Sequence, residues 1–591
     1  MKNFFLATTS LDQFSNYKKK KLYLGHYCLS SKDKVSEFQK VSIVQNHWGD
    51  KKKIIKKHKN LKKIISKLFS FLVKKLNFIH GRNENKSYWK IIIYPWVCYY
   101  TTTLYDRWET ISALKKKINK SSFVVNEYEI KDKSKEIEDM QDWFNKYQME
   151  VFNNILFNKI LKVRKFDNIK ITSKKYHHSI NKKNKFFFKL NFLKIIDKFL
   201  AKIGLRYNSI YFDKFILPRF FFINLCVKNF QIPTNNISTF ENIDFGTSYN
   251  FKIREKLTKK IINQSDFERF LFNELKYQLP KSYLENYDLF INSRKKFFKK
   301  KKTIFGMYSA HINDYFKIFL AESKMFGSRY IHSRHGAGLH SSHDALYNHF
   351  EDISEKVLKF TKSTKPLKKE IYLGSSIYKT TKKPINKKNK KLLINFHEFL
   401  KYIFRAPVTV GPFNENVEEF DNLTRSIKNL DKKIMKNLKF RPKEINQLNC
   451  QKRFSDIFGS HYIEKTSEIN YTDSIEESKL VICSVPQTSY TECLLKNIPT
   501  ILVGNKEAFF DTPERIKFLK KLKSNNFYFN DMYTAIKFIN KNWENIYTWW
   551  SLKKTQDIRK LYLSKYCMVD KNYKNRWKSF VKKEINQLVS N

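Results

Sequence analysis

An α/β protein of two domains is what this sequence predicts, on three observations. Short apolar runs end in polar residues or glycine, as buried strands of parallel sheets do: Phe4-Phe5-Leu6-Ala7 before Thr8-Thr9-Ser10, Leu22-Tyr23-Leu24 before Gly25, and Leu480-Val481-Ile482-Cys483 before Ser484. The chain has 591 residues, room for two or more domains at roughly 100–200 residues each. The stretch 378–391, YKTTKKPINKKNKK, combines a lysine run, Pro384 and two asparagines ahead of a new apolar run, the composition of a linker. The boundary falls there and gives a helix-rich α/β domain over 1–385 and a second α/β domain over 386–591.

The elements follow in order. After the first two strands, 51–75 reads as an amphipathic helix: Leu61, Ile64, Ile65, Leu68, Phe69, Leu72 and Leu76 recur at three- and four-residue steps, and lysines fill the other face. That face is either solvated or laid on anionic lipid. The longest uncharged apolar run, 91–105, is shorter than a membrane span and is interrupted by Pro95, so no transmembrane helix is expected. The opening residues carry too short an apolar stretch for a signal peptide. Charge-rich stretches at 174–185 and 294–302 read as surface connections. Beyond the boundary come a strand at 392–396, a helical stretch from Glu415 to about residue 430, a strand near Leu438-Lys439-Phe440, a strand at 480–484, a short helix at 488–496 and a strand at 499–504. Helices bearing Trp543, Trp549, Trp550 and Trp577 complete the chain.

Composition narrows the function. Hydrophobic residues make up 41% and aromatics 16%, enough apolar surface to offset the entropy of ordering and to exclude a disordered chain. Lysine plus arginine exceed aspartate plus glutamate by 115 to 55, a formal charge of +60. Abundant Lys, Asn, Ile, Phe and Tyr with scarce Gly, Ala and Pro is the signature of an AT-rich genome, so much of that charge reads as lysine padding of a solvated surface; nucleic acid and anionic membrane are the functional alternatives. Seven cysteines lie scattered with no C-x-x-C pair, which suggests neither a zinc ribbon nor a disulfide framework and fits a reducing cytoplasm.

Three segments carry candidate chemistry. Arg334-His335-Gly336-Ala337-Gly338 places two of only thirteen glycines beside a histidine. Glycines let backbone N–H groups approach an anion or a sugar closely, and the histidine can exchange a proton near neutral pH; the alternative is a tight turn. Five of fourteen histidines fall at 332–349, but His340-x-x-His343 lacks zincin spacing and no cysteine is near, so no metal site is expected. The second segment, 484–492, joins a strand to a helix start. Thr488 or Ser489 suits an N-cap, with Glu492 closing a capping box onto Ser489; the same hydroxyls and amides at a parallel-sheet edge suit a phosphate, and Glu492 a ribose. No G-x-G-x-x-G or Walker A loop is present. The third is Lys439-Phe440-Arg441-Pro442, where Arg441 could clamp a diphosphate, with Arg405 in Phe404-Arg405-Ala406-Pro407 as a weaker counterpart.

Phe5-Leu6-Ala7-Thr8-Thr9-Ser10-Leu11-Asp12-Gln13-Phe14, Tyr23-Leu24-Gly25, Asn46-His47-Trp48, His80-Gly81, Leu104-Tyr105-Asp106-Arg107, Tyr277-Gln278-Leu279-Pro280-Lys281, the His335-Gly336 loop and 488–499 together resemble a transferase family of bacterial O-antigen and surface-polysaccharide gene clusters. The resemblance implies two Rossmann-like domains facing a cleft, GT-B-like by the C-terminal half. It implies an acceptor side in 1–385 and a nucleotide-donor site in 386–591. Two departures stand out: the family's H-G-G-G loop has Ala337 at its middle position, and the acidic residue expected downstream is shifted to Glu351, Asp352 or Glu355.

The expectation is thus a metal-independent transferase, most simply a glycosyltransferase, that moves a sugar or a polyol-phosphate from a nucleotide-activated donor as co-substrate and uses no cofactor. The acceptor would be a glycan or a lipid-linked glycan, and the location cytoplasmic, with peripheral contact to anionic lipid of the inner membrane. His335 is assigned as catalytic base or phosphate ligand. Gly336, Gly338, Arg405, Arg441, Thr488, Ser489 and Glu492 are assigned to the donor. Nucleic acid is not expected as a partner; the alternative reading is a basic RNA-binding or tRNA-modifying protein.

Overall fold

The computed structural model describes residues 3–12, 20–29, 41–49, 51–117, 122–166, 169–176, 210–213, 217–228, 243–258, 264–298, 301–334, 336–339, 345–360, 368–374, 386–407, 413–443 and 448–589. The chain is α/β, but it builds three five-stranded parallel sheets where two were expected. The first holds β1 (Asn3–Ala7), β2 (Lys21–Tyr23), β3 (Ser42–Ile43), β4 (Ser122–Glu129) and β5 (Ile169–Lys175) in the order β3-β2-β1-β4-β5. The second holds β6 (Ile210–Asp213), β7 (Thr303–Gly306), β8 (Arg329–Ser333), β9 (Lys356–Leu358) and β10 (Glu370–Ile371) in simple succession. The third holds β11 (Lys391–His397), β12 (Leu438–Lys443), β13 (Ser478–Cys483), β14 (Thr500–Val503) and β15 (Tyr528–Phe529) in the order β12-β11-β13-β14-β15. The span 1–385 therefore carries two sheets. The strands of the second are two to five residues long, too short for a periodic pattern to mark them.

The 91–105 run lies inside one helix, Lys86–Lys117, and Pro95 does not end it. A proline there removes one backbone bond and costs about 3 kcal/mol. Burial on nearly every side offsets this: Trp89, Ile92, Ile93, Trp96, Val97 and Tyr100 are all inaccessible to solvent, the pattern of a central core helix. The lysine-faced helix spans Lys51–Ile79 and packs against it through Leu61, Leu68, Leu72 and Leu76. Among the described residues no helix is long and apolar enough to cross a membrane. All seven cysteines are buried and none forms a disulfide.

Of the two expected surface connections, Arg294 begins one inside the helix Tyr287–Phe298, and 174–175 end β5; the stretch 177–185 lies outside the described residues. So does 378–385 of the linker, while β11 already starts at Lys391. The last helix, Tyr573–Val589, returns to the second sheet and covers Phe305, Ile331 and Leu358 with Trp577, Phe580 and Val581.

Candidate active site

The third sheet reverses its strand order between β11 and β13, and in open parallel sheets such a reversal opens a crevice at the carboxyl ends of the strands. Here β11 ends at His397, β12 at Arg441-Pro442-Lys443, and β13 runs into the Ser484–Gln487 turn ahead of the helix Thr488–Leu495. Register sets Asn395 opposite both Arg441 and Cys483, and His397 opposite Lys443. The Ser484 hydroxyl accepts the His397 amide at 2.8 Å and ties the two strand ends together. A cavity of about 450 Å³ lies between them, lined by His397, Arg441, Lys443, Thr488, Ser489 and Glu492 among others.

Two cations, a histidine and a carboxylate set its electrostatics. Burial pushes the His397 imidazole down to about 3, and Lys443, Lys506 and Arg405 add to the shift, so the ring is neutral at pH 7. Burial also lowers Lys443. Glu492 is raised by burial, moderated by the Thr472 hydroxyl, which donates to it at 3.0 Å. The expected capping box is absent. Gln487 occupies the N-cap without a side-chain capping bond, and Glu492 is turned to Thr472 instead. The first-turn amides at Thr488 and Ser489 are thereby left to an outside acceptor. Arg441 lines the cavity but donates to Glu464 at 2.8 Å and to the Ile469 carbonyl at 3.0 Å. Glu464 also accepts from Ser474 and Lys391. One face of the Arg441 guanidinium is therefore committed to holding the wall in place.

The two segments singled out from sequence, 336–338 and 484–492, meet. Gly338 N donates to the Tyr566 carbonyl at 3.1 Å, and Leu339 N donates to the Pro486 carbonyl at 3.0 Å. Gly338 has φ +105°, and a β-carbon there would lie 2.7 Å from Gln487 Cα, so only glycine lets these backbones touch. Gly336 and Ala337 are buried alongside. His335, His340 and His343 lie outside the described residues. The acidic residues downstream are paired: Glu351 with Arg334 and Lys359, Asp352 with Lys90, and Glu355 with Lys324. Arg405 is exposed, on the connection that leaves β11 for the first sheet. That connection is anchored where Glu150 accepts from Lys401 at 2.9 Å and from the Tyr402 hydroxyl at 2.6 Å.

Beside that connection, a cavity of about 420 Å³ separates the carboxyl edge of the first sheet from the start of the helix Phe413–Ile427. His26, Asn46, His47, Asp106, Lys401 and Glu415 line it. Lys57 Nζ lies 3.0 Å from His47 Nδ1, and His47 Nε2 lies 3.1 Å from Asp106; an ammonium has only protons to give, so Nε2 carries the hydrogen and donates to the carboxylate. Burial alone would raise Asp106, but the bonds from His47 and Trp48 and the Arg107 charge hold it below the usual carboxylate range. Burial, with Glu419 and Glu418 close by, lifts Glu415 to about 7 against the pull of Lys506. Burial takes His26 to about 4.

Sequence reasoning gave no role to His397 or Glu415. A signal for the first existed: a histidine directly after Leu392-Leu393-Ile394-Asn395-Phe396 must stand at a strand's carboxyl end. Glu415 has no such marker, because its environment comes from Lys506 and from the first sheet. Among the described residues no group of three or more His, Cys, Asp or Glu side chains is placed to hold a metal ion. The family model described as LIC12162 family transferase matches residues 4–581. The chain belongs to that family and is a transferase. No curated protein matches it.

Proposed function

We propose that this transferase moves a sugar, or a polyol-phosphate, from a nucleotide-activated donor to a surface-polysaccharide or O-antigen acceptor without a metal ion. The observation that carries the reading is the 450 Å³ cavity at the strand-order reversal, where cationic side chains, uncapped helix amides and a buried carboxylate converge. In this reading the donor diphosphate lies against Lys443, Arg441 and the amides of Thr488 and Ser489, Arg405 contributes charge from the rim, and Glu492 accepts ribose hydroxyls. With a sugar donor, an acceptor hydroxyl attacks the donor carbon and the bond to the diphosphate breaks. With a polyol-phosphate donor, it attacks the phosphorus beside the polyol and the nucleoside monophosphate leaves. In either case the hydroxyl gives up its proton, and the negative charge that develops on the leaving phosphate is met by fixed cations and helix dipole in place of a bound metal. His335, next to the Gly336-Ala337-Gly338 docking segment, serves as base or phosphate ligand. The acceptor enters from the 420 Å³ cavity between the first and third sheets.

A thermal-shift screen with CMP, CDP, UDP, GDP and dTDP tests this. A nucleotide at about 100 times its dissociation constant stabilises the fold by about 2.7 kcal/mol, and Glu492→Ala should abolish most of that shift while leaving the unliganded melting temperature near wild type. A full set of nucleotides that leaves the melting temperature unmoved refutes the donor site.

A further inference from the structure

A larger cavity, of about 1470 Å³, lies away from both of those and shares no lining residue with either. It opens between the carboxyl half of the Lys86–Lys117 helix, the helix Glu150–Val163 and the helix Asp266–Gln278. Small-molecule sites usually hold roughly 300–1,000 Å³, so the natural occupant is bigger than a nucleotide or a monosaccharide. Its floor is apolar: Trp108, Phe152, Leu156 and Phe270 line it and are buried. Its lip is apolar too, and wet: Val163 is 52% exposed, Phe251 50% and Tyr277 42%. An exposed apolar lip continuous with an apolar floor is costly unless something covers it.

Charge says what covers it. Eight cationic and four acidic side chains line the cavity. Lys135, Lys159, Lys162 and Arg269 pair with carboxylates. Lys115, Lys133, Arg164 and Lys165 have no acidic partner among the described residues. Arg164 is the most telling: its guanidinium stacks 5.0 Å from the Trp108 ring, and its Nε is fully buried with no hydrogen-bond acceptor. A buried donor without a partner is rare and marks a place where a ligand atom belongs.

We propose that this cavity binds an anionic lipid, with a long hydrocarbon chain against Trp108, Phe152 and Phe270 and a phosphate held by Arg164 and the rim lysines. An apolar trough rimmed by unpaired cations matches that amphiphile and matches neither a neutral lipid nor a free phosphate. The inference does not depend on the donor site or on the transfer reaction.

The test uses the full chain and a lysophosphatidic acid with a dibromostearoyl chain, kept monomeric. Bromine quenches tryptophan only at close range, so binding should remove part of the emission, and Trp108→Phe should lose that quenching while keeping its affinity. Val163→Asp, at the exposed lip, and Lys115→Glu should each bind at least about fivefold more weakly, with melting temperatures near wild type. Lysophosphatidylcholine with the same chain should bind at least about fivefold more weakly than the anionic lipid, and glycerol 3-phosphate should not compete. The proposal is overturned if the zwitterionic lipid binds equally, if glycerol 3-phosphate displaces the lipid, or if quenching survives in Trp108→Phe. Displacement by poly(U) would make the cavity a nucleic-acid site and overturn it equally.

Discussion

Gly338 presses on the Pro486-Gln487 turn with no side chain between them, and its backbone lies where L side chains rarely go. Gly338→Ala should therefore cost at least about 1–3 kcal/mol in urea unfolding, and it should weaken nucleotide binding by pushing the turn before Thr488 out of place; an alanine variant as stable and as tight as wild type would show the contact to be idle. His397 makes a pH-dependent prediction. Its folded pKa, about 3, is below the roughly 6.5 of an unfolded chain, so as pH falls the unfolded state takes the proton first. Its contribution is intact above about 6.5 and shrinks towards pH 3, by about 3 kcal/mol at pH 4. His397→Gln, which cannot titrate, should flatten the stability curve in that window, measured by chemical unfolding at each pH. At this scale the sequence picked out two segments, 336–338 and 484–492, that the fold brings into contact. It was misleading where a side chain chose a distant partner: Glu492 bonds Thr472 rather than Ser489, and Arg441 bonds Glu464.

In the third sheet β11, β13 and β14 were readable because each holds an apolar run closed by a polar residue or glycine, whereas β12 is broken by Lys439 and Arg441 and β15, two residues long, was not predicted. The 51–75 helix was readable because its leucines keep a strict face. Pro95 and the second sheet were not. The helix around Pro95 is buried on nearly all sides, so no amphipathic stripe announces it, and tertiary packing outweighs the local penalty of proline. One face of the second sheet packs on the main core through Tyr211, Ile304 and Tyr330, and the other is closed by the helix Arg219–Val227 together with the helix Tyr573–Val589. Trp577→Ala should thus cost about 3–5 kcal/mol and expose the amides of β7 and β8 to hydrogen exchange, while β11 and β13 keep their protection. Equal loss of protection in the second and third sheets would mean that the two unfold as one unit.

Across the whole molecule, a net charge of +60 repels itself, and the ion pairs that line the surface do not cancel it. Screening falls to about 10 Å at 0.1 M salt and 3 Å at 1 M, so raising NaCl from about 50 mM to about 500 mM should raise the melting temperature. A drop would mean that attractive pairs such as Glu150 with Lys401, which link the first sheet to the connection leaving the third, outweigh the repulsion. The count of sheets could not be read from composition, because a linker is visible as a run of charge whereas a sheet shared between distant segments is not. That sharing has a consequence for biosynthesis. Residues 210–371 leave the ribosome with the Phe305 and Ile331 face covered only in part, by the helix Arg219–Val227, and the segment that completes the cover, up to residue 581, follows some 200 residues later. At roughly 5–20 residues per second the nascent chain carries that open apolar surface for about 10–40 s. That surface is where a chaperone would hold the growing chain, and a permuted chain that moves residues 573–589 ahead of residue 210 should shorten the interval.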